Sequence, residues 1–118
     1  MTRRPDGALE HDIMMVLWAA DGPLQPSDVK DRLATELAYT SVATVLGRLH
    51  IKGLVRRTEI GRSYAYAASV DESQLAVRRM GEVLSASSDK SQVLAGFVGS
   101  LSRKDLAALR AMLGRGDR

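Results

Sequence analysis

The chain contains no cysteine. That absence removes disulfides, thiolate metal sites, cysteine nucleophiles and thiol redox switches together, and it suits a reducing compartment. Aromatic residues are scarce: one Trp, one Phe and three Tyr in 118 residues. Leu, Val, Ala and Met must therefore do most of the packing, which favours helices. No apolar run approaches the roughly 20 residues that span a bilayer. The N-terminal stretch MTRRPDGALEHD is interrupted by acids and a proline where a secretory signal would carry an apolar core. The expectation is a cytoplasmic protein with no membrane insertion. His11 and His50 are the only histidines, and no carboxylate cluster or second histidine is spaced to make a metal site with His50, so no metal or other cofactor is expected. Nucleophile–base pairs, paired carboxylates and phosphate-cradling glycine loops are also missing, and with them the chemistry of an enzyme.

What is present is a concentration of charge. Between Ala38 and Ala68 lie Arg48, Lys52, Arg56, Arg57 and Arg62 against one acid, Glu59. This stretch carries +4, while the whole chain is only +3. The excess sits on a supersecondary unit that reads as a helix, a glycine stop and two strands joined by a basic turn. A helix followed by a basic hairpin is suited to DNA phosphates and base edges.

Residues 1–7 read as a polar, basic arm. Leu9, Ile13, Val16, Leu17 and Ala20 then recur at helical spacing, beside Met14 and Trp18, so a helix is predicted from about Ala8 to the Asp21-Gly22-Pro23 stop. A second helix is predicted to open at Pro26 with Val29, Leu33 and Leu37 inward. Tyr39-Thr40-Ser41 opens a third, whose Val42, Val45, Leu46 and Leu49 define its core face and which Gly53 ends in a left-handed cap. Strands are expected over 54–59 and 63–67 around an Ile60-Gly61-Arg62 turn. A short strand near Leu24-Gln25 has little sequence support. Trp18 is expected to pack the first helix against the hairpin.

Beyond Ala68 the pattern becomes purely helical. Ser69 to Glu72 and Ser102 to Asp105 have capping-box spacing, and Ser85 to Ser88 reads as a break. The apolar stripes of this part are Leu75, Met80, Val83 and Leu84, then Val93, Leu94, Phe97, Val98 and Leu101, then Leu106, Leu109, Met112 and Leu113. Segments this short and poor in aromatics bury too little surface alone, and the economical cover is a second copy. The predicted organisation is mainly α with a small β-hairpin: a winged helix-turn-helix domain over 1–69 and a helical dimerisation region over 70–118.

On the third helix, Thr40, Ser41, Thr44, Gly47, Arg48 and Lys52 fall outside the core stripe. Small hydroxyl residues with an arginine fit a helix that enters a major groove about 12 Å wide. A merely solvated face would more often carry Glu, Lys or Ala. Arg57 and Arg62 place guanidinium groups on the hairpin, although edge strands also carry charge simply to block pairing. Tyr39 can direct its hydroxyl to a phosphate or pack into the core, whereas Tyr64 and Tyr66 read as hairpin packing.

These blocks, Leu9-Glu10, Val16-Leu17-Trp18, AYTSVATVLGRL, KGLV and GR.Y.Y, resemble the penicillinase repressor (BlaI/MecI) family over nearly the whole chain. The resemblance implies a homodimeric winged-helix repressor bound to double-stranded DNA at an inverted-repeat operator. It also implies release by a sensor-linked protease acting in the C-terminal helices, where the pair aligned with the family's cleavage site is Gly96–Phe97. Copper-responsive relatives bind metal through C-terminal cysteines, which this chain lacks. Two other readings compete: a protein–protein module whose basic hairpin meets an acidic partner, and a repressor responsive to a small molecule.

Overall fold

The computed structural model describes residues 6–116, in the order α1 (Asp6–Ala19), α2 (Pro26–Arg32), α3 (Tyr39–Ile51), β1 (Val55–Ile60), β2 (Ser63–Ala68), α4 (Glu72–Ala86), α5 (Lys90–Ser100) and α6 (Arg103–Gly116). The basic arm expected over residues 1–7 lies, through Pro5, outside the described residues. The chain divides into two compact units, one ending at Leu75 and the other beginning at Ala76. The hairpin ends at Ala68, near the compositional change at 69/70, but the contacts of the first unit continue six residues further.

In the first unit the buried side of α1 is Ile13, Met14 and Leu17, with Leu9, Val16, Trp18 and Ala20 packed at its margin. The charged Glu10, only 7% exposed, belongs to the same inward stripe. The second helix starts at Pro26 as expected, and the Asp28 carboxylate accepts from the Gln25 N–H at 3.0 Å. It is one turn shorter than its apolar spacing suggests. Val29 is buried, Leu33 is the C-cap, and Leu37 packs from the loop that follows.

The third helix contributes Val42, Val45, Leu46 and Leu49 to the core. It closes in a Schellman arrangement: the Gly53 N–H donates to the His50 carbonyl at 3.0 Å and the Leu54 N–H to the Leu49 carbonyl at 2.9 Å. Gly53 has φ +78°, a conformation that is costly for any residue with a Cβ. The chain then enters an antiparallel hairpin in which Val55 pairs with Ala68, Arg57 with Tyr66 and Glu59 with Tyr64. Ile60 pairs with Ser63 across Gly61-Arg62, and Gly61 takes φ +60°, as a two-residue hairpin turn with glycine first requires. Leu24 forms a single antiparallel bridge to Tyr66, with both of its backbone groups bonded at 2.9 and 2.7 Å. The weakly signalled strand is therefore one residue long.

Trp18 is half-buried and donates its indole N–H to the Val70 carbonyl at 2.8 Å, so it anchors the segment that leaves the hairpin. The cap of α4 is displaced two residues from the expected Ser69 to Glu72 box. Asp71 and Gln74 satisfy each other's backbone N–H groups, both at 2.8 Å. Leu75 corrects a second expectation. Assigned to a dimerisation face, it is 2% exposed and belongs to the core of the first unit, because the helix starts close enough to the hairpin for its first turn to be covered.

In the second unit the Ser102 cap follows the sequence reading, and Asp89 adds a cap that the reading did not include. Asp89 accepts from the Gln92 N–H at 3.0 Å, and Ser102 from the Asp105 N–H at 3.0 Å. The apolar residues are another matter. No residue of α5 is buried. Val83, Leu113, Met80, Leu94, Phe97 and Val98 are exposed, and Leu84, Leu101, Leu106 and Leu109 are half-buried. An apolar groove of about 440 Å³ runs between α4 and α5, walled by Met80, Val83, Leu84, Val93, Leu94 and Phe97. Among the described residues no helix is long and apolar enough to cross a membrane.

Candidate nucleic-acid interface

At about 100° per residue, burying Val42, Val45, Leu46 and Leu49 turns the opposite side of α3 to solvent. Thr40, Ser41, Thr44 and Arg48 are all exposed there, and Tyr39, the first residue of the helix, is 48% exposed. The N-terminus of α3 is electrostatically open. Its N-cap is Ala38, no side chain caps it, and its first turn holds no acid. The positive end of the helix dipole and its first amides thus face outward without a covering carboxylate, an arrangement suited to a phosphate.

Thr44 is further defined by its own helix. Its hydroxyl donates to the Thr40 carbonyl at 2.8 Å, which commits the proton to the backbone. Its lone pairs remain acceptors, so in this geometry it matches a base-edge amine rather than a phosphate oxygen.

Lys52, placed outside the core stripe by its spacing, is half exposed and forms an ion pair. Its ammonium lies 3.0 and 2.8 Å from the two carboxylate oxygens of Glu10. The pair is lopsided: the Lys52 side chain is 50% exposed and that of Glu10 only 9%. It ties the C-cap of α3 to α1, and so fixes the end of the helix whose outer face is at issue. Sequence reasoning missed Glu10 as a partner. The signal was available, since Glu10 stands in an i, i+3, i+4, i+7 series with Ile13, Met14 and Leu17, and a charge on an inward stripe demands a counter-charge.

The hairpin sorts its arginines by strand alternation. The Arg56 guanidinium donates to the Ala68 carbonyl at 3.0 Å and so braces the strand end. Arg57, on the other face, lies over the Tyr64 ring, its guanidinium carbon 4.2 Å from the centroid. Tyr64 in turn meets Tyr66 edge-to-face at 6.4 Å. A ladder therefore runs from the buried Tyr66 through the half-buried Tyr64 to the exposed Arg57. The planar guanidinium is held by packing while its N–H edge stays available to an anion. Arg62 is exposed at the turn itself.

Three helices, the Leu24 bridge and a two-stranded wing make the first unit a winged helix-turn-helix domain. The penicillinase repressor family profile matches residues 7–115, and the chain belongs to that family. The transcriptional regulator BlaI of Mycobacterium tuberculosis, in two strains, is 32% identical over 112 residues, covering 91% of this chain and 81% of that protein. Among solved structures, the complex structure of hsRosR-S1 superposes with a TM-score of 0.51 at 24% identity, over 86% of this chain and 93% of that one. The PcaV transcriptional regulator of Streptomyces coelicolor, in complex with its natural ligand, gives 0.49 at 22% identity over 93% and 73%.

Proposed function

We infer that the protein is a cytoplasmic, homodimeric transcriptional repressor that reads an inverted-repeat operator in double-stranded DNA. The observation that carries this reading is the outer face of α3. It is exposed, built of small hydroxyl residues and an arginine, and followed directly by a wing that holds Arg57 and Arg62 outward. In this arrangement Thr40, Ser41, Thr44 and Arg48 meet base edges in the major groove. Tyr39 and the open N-terminus of α3 meet phosphate, and Arg57 and Arg62 hold the backbone beside them. Lys52 acts through its bond to Glu10. A two-fold dimer requires half-sites one helical turn, about 10 bp, or a small multiple apart. Occupation of such a site blocks transcription without any catalytic step.

The partner surface in this reading is the uncovered face of the second unit. Met80, Val83, Leu94, Phe97, Val98 and Leu113 leave more apolar surface in water than a short helical segment needs for its own fold, and a second copy supplies matching surface. Release follows when that face is cut or opened. Gly96 and Phe97 lie within α5, so a protease that requires extended chain reaches them only after α5 unwinds locally.

Gel shifts with genomic fragments enriched by the purified protein test the reading. The wild type is expected to retain a palindromic duplex over its scrambled counterpart. Arg48→Ala should cost roughly 1–3 kcal/mol and relax sequence preference, whereas Arg62→Ala should weaken all duplexes alike and flatten the salt dependence. Salt-sensitive binding with no preference for any duplex would instead favour an acidic protein partner.

A further inference from the structure

The outer stripe of α3 contains two residues that the fold itself does not need. Ile51 is 86% exposed, more than any other large apolar side chain among the described residues. At about 100° per residue it lies in line with Thr40, Thr44 and Gly47, directly opposite the core face, with Arg48 to one side. A β-branched apolar side chain in that position gains nothing from burial and is a weaker helix former than the residues usually found there. Gly47, one turn earlier, is equally unprompted. A Cβ built on it would meet nothing within 4 Å, so no neighbour in the chain excludes a side chain. Glycine inside a helix is also less stable than alanine. Two departures from local preference on one stripe point to something outside the chain.

The chemistry of the pair narrows what that is. Ile51 has no donor for a phosphate, yet it stands in the most basic part of the molecule, with Arg48 on the same helix and Arg57 and Arg62 on the wing. A polyanion is therefore favoured there over an apolar protein surface. Among the groups that line the DNA major groove, the apolar one is the thymine 5-methyl. From Thr40 to Ile51 the helix rises about 16 Å, close to five base-pair steps at about 3.4 Å each. We propose that Ile51 is a specificity-determining residue that packs on a thymine methyl in each half-site, and that Gly47 lets the backbone of α3 approach the base edges closely enough for it to do so. This rests on the operator-reading function above.

Deoxyuridine differs from thymidine only in lacking that methyl, which makes it a direct probe. The test takes a duplex enriched from genomic fragments by the full-length protein. Single thymines are replaced by deoxyuridine along each half-site, and affinity is followed by fluorescence anisotropy at fixed salt. Wild type is expected to lose about fourfold at one position per half-site, the worth of one buried methyl-sized group, and about 15-fold when both half-sites are changed. Ile51→Ala should show that loss already on the thymine duplex and respond no further to deoxyuridine at that position. A flat scan in the wild type, or an Ile51→Ala protein as sensitive as wild type at the same position, overturns the assignment. Gly47→Ala should raise the melting temperature and weaken every duplex, thymine or uracil alike. Binding at wild-type strength by that variant refutes the close approach. If no duplex is enriched at all, the operator-reading function fails and the assignment of Ile51 falls with it, whereas a flat scan on an enriched duplex overturns the assignment alone.

Discussion

Replacing Lys52 with methionine removes an ammonium that is half in water and leaves behind a carboxylate that is not. Glu10 is 7% exposed, and both of its oxygens face Lys52, at 3.0 and 2.8 Å. Breaking a fully buried pair from one side costs roughly 3–5 kcal/mol, mostly as the penalty for the charge left alone. Lys52 is exposed enough for water to reach its side of the bond, which brings the expected loss for Lys52→Met to about 2 kcal/mol. The opposite change is cheaper. Glu10→Gln keeps the shape and an acceptor, and the released ammonium hydrates, so about 0.5–1 kcal/mol is expected. The double variant should then be more stable than Lys52→Met alone, because no charge remains to be stranded. Urea unfolding of all four proteins at one concentration measures this, since association and folding are linked. Equal losses in the two single variants, or a double variant that simply adds them, would refute the buried-carboxylate argument. The same proteins decide the role of Lys52 on DNA. A clamp leaves the salt slope of Lys52→Met at the wild-type value, whereas a phosphate contact lowers it by about one per subunit.

Further outcomes follow from single residues. Gly53→Ala forces a Cβ into φ +78° and should lower stability by about 1–2 kcal/mol, seen as a lower urea midpoint with an unchanged slope. Leu75→Ala and Phe97→Glu should separate folding from association. The first opens the core of the winged-helix unit at a cost of about 2–5 kcal/mol and leaves the sedimentation coefficient of the folded protein unchanged. The second charges an exposed face and should shift sedimentation toward the monomer with little change in helicity. Tyr64→Leu removes the ring beneath Arg57, worth about 0.5–1 kcal/mol at an exposed site, so non-specific DNA affinity should fall about two- to fivefold per wing. Tyr64→Phe, which keeps the ring, should bind as the wild type does.

The order of elements was legible because each boundary is a local signal. Pro26 starts a helix, Gly53 and Gly61 carry the positive φ that their turns require, and Ser102 accepts from the Asp105 amide where the capping pattern predicts it. The α4 cap slipped by two residues because Ser69 to Glu72 and Asp71 to Gln74 have the same capping spacing, and only the end of the hairpin decides between them. Leu75 was assigned to the wrong surface for a related reason. Periodicity gives a helix its faces but does not say which neighbour covers each turn, and the first turn of α4 is covered by the unit that precedes it.

The outer face of α3 shows where such reasoning ends. Spacing places Lys52 outside the core stripe and assigns no role to Ile51. The contacts reverse the emphasis. Lys52 is held by a carboxylate 42 positions away, a pairing that no local window contains, while Ile51 stands 86% exposed on the centre line of the face. Thr44 makes the same point from within the helix, since its bond to the Thr40 carbonyl leaves its hydroxyl only as an acceptor. On an exposed face, the chemistry a side chain can offer is set by what its own fold has already used. In the repressor reading proposed above, the groups left over describe the partner: acceptors and the apolar Ile51 side chain for the groove, guanidinium edges beside it, and an open helix N-terminus for a phosphate.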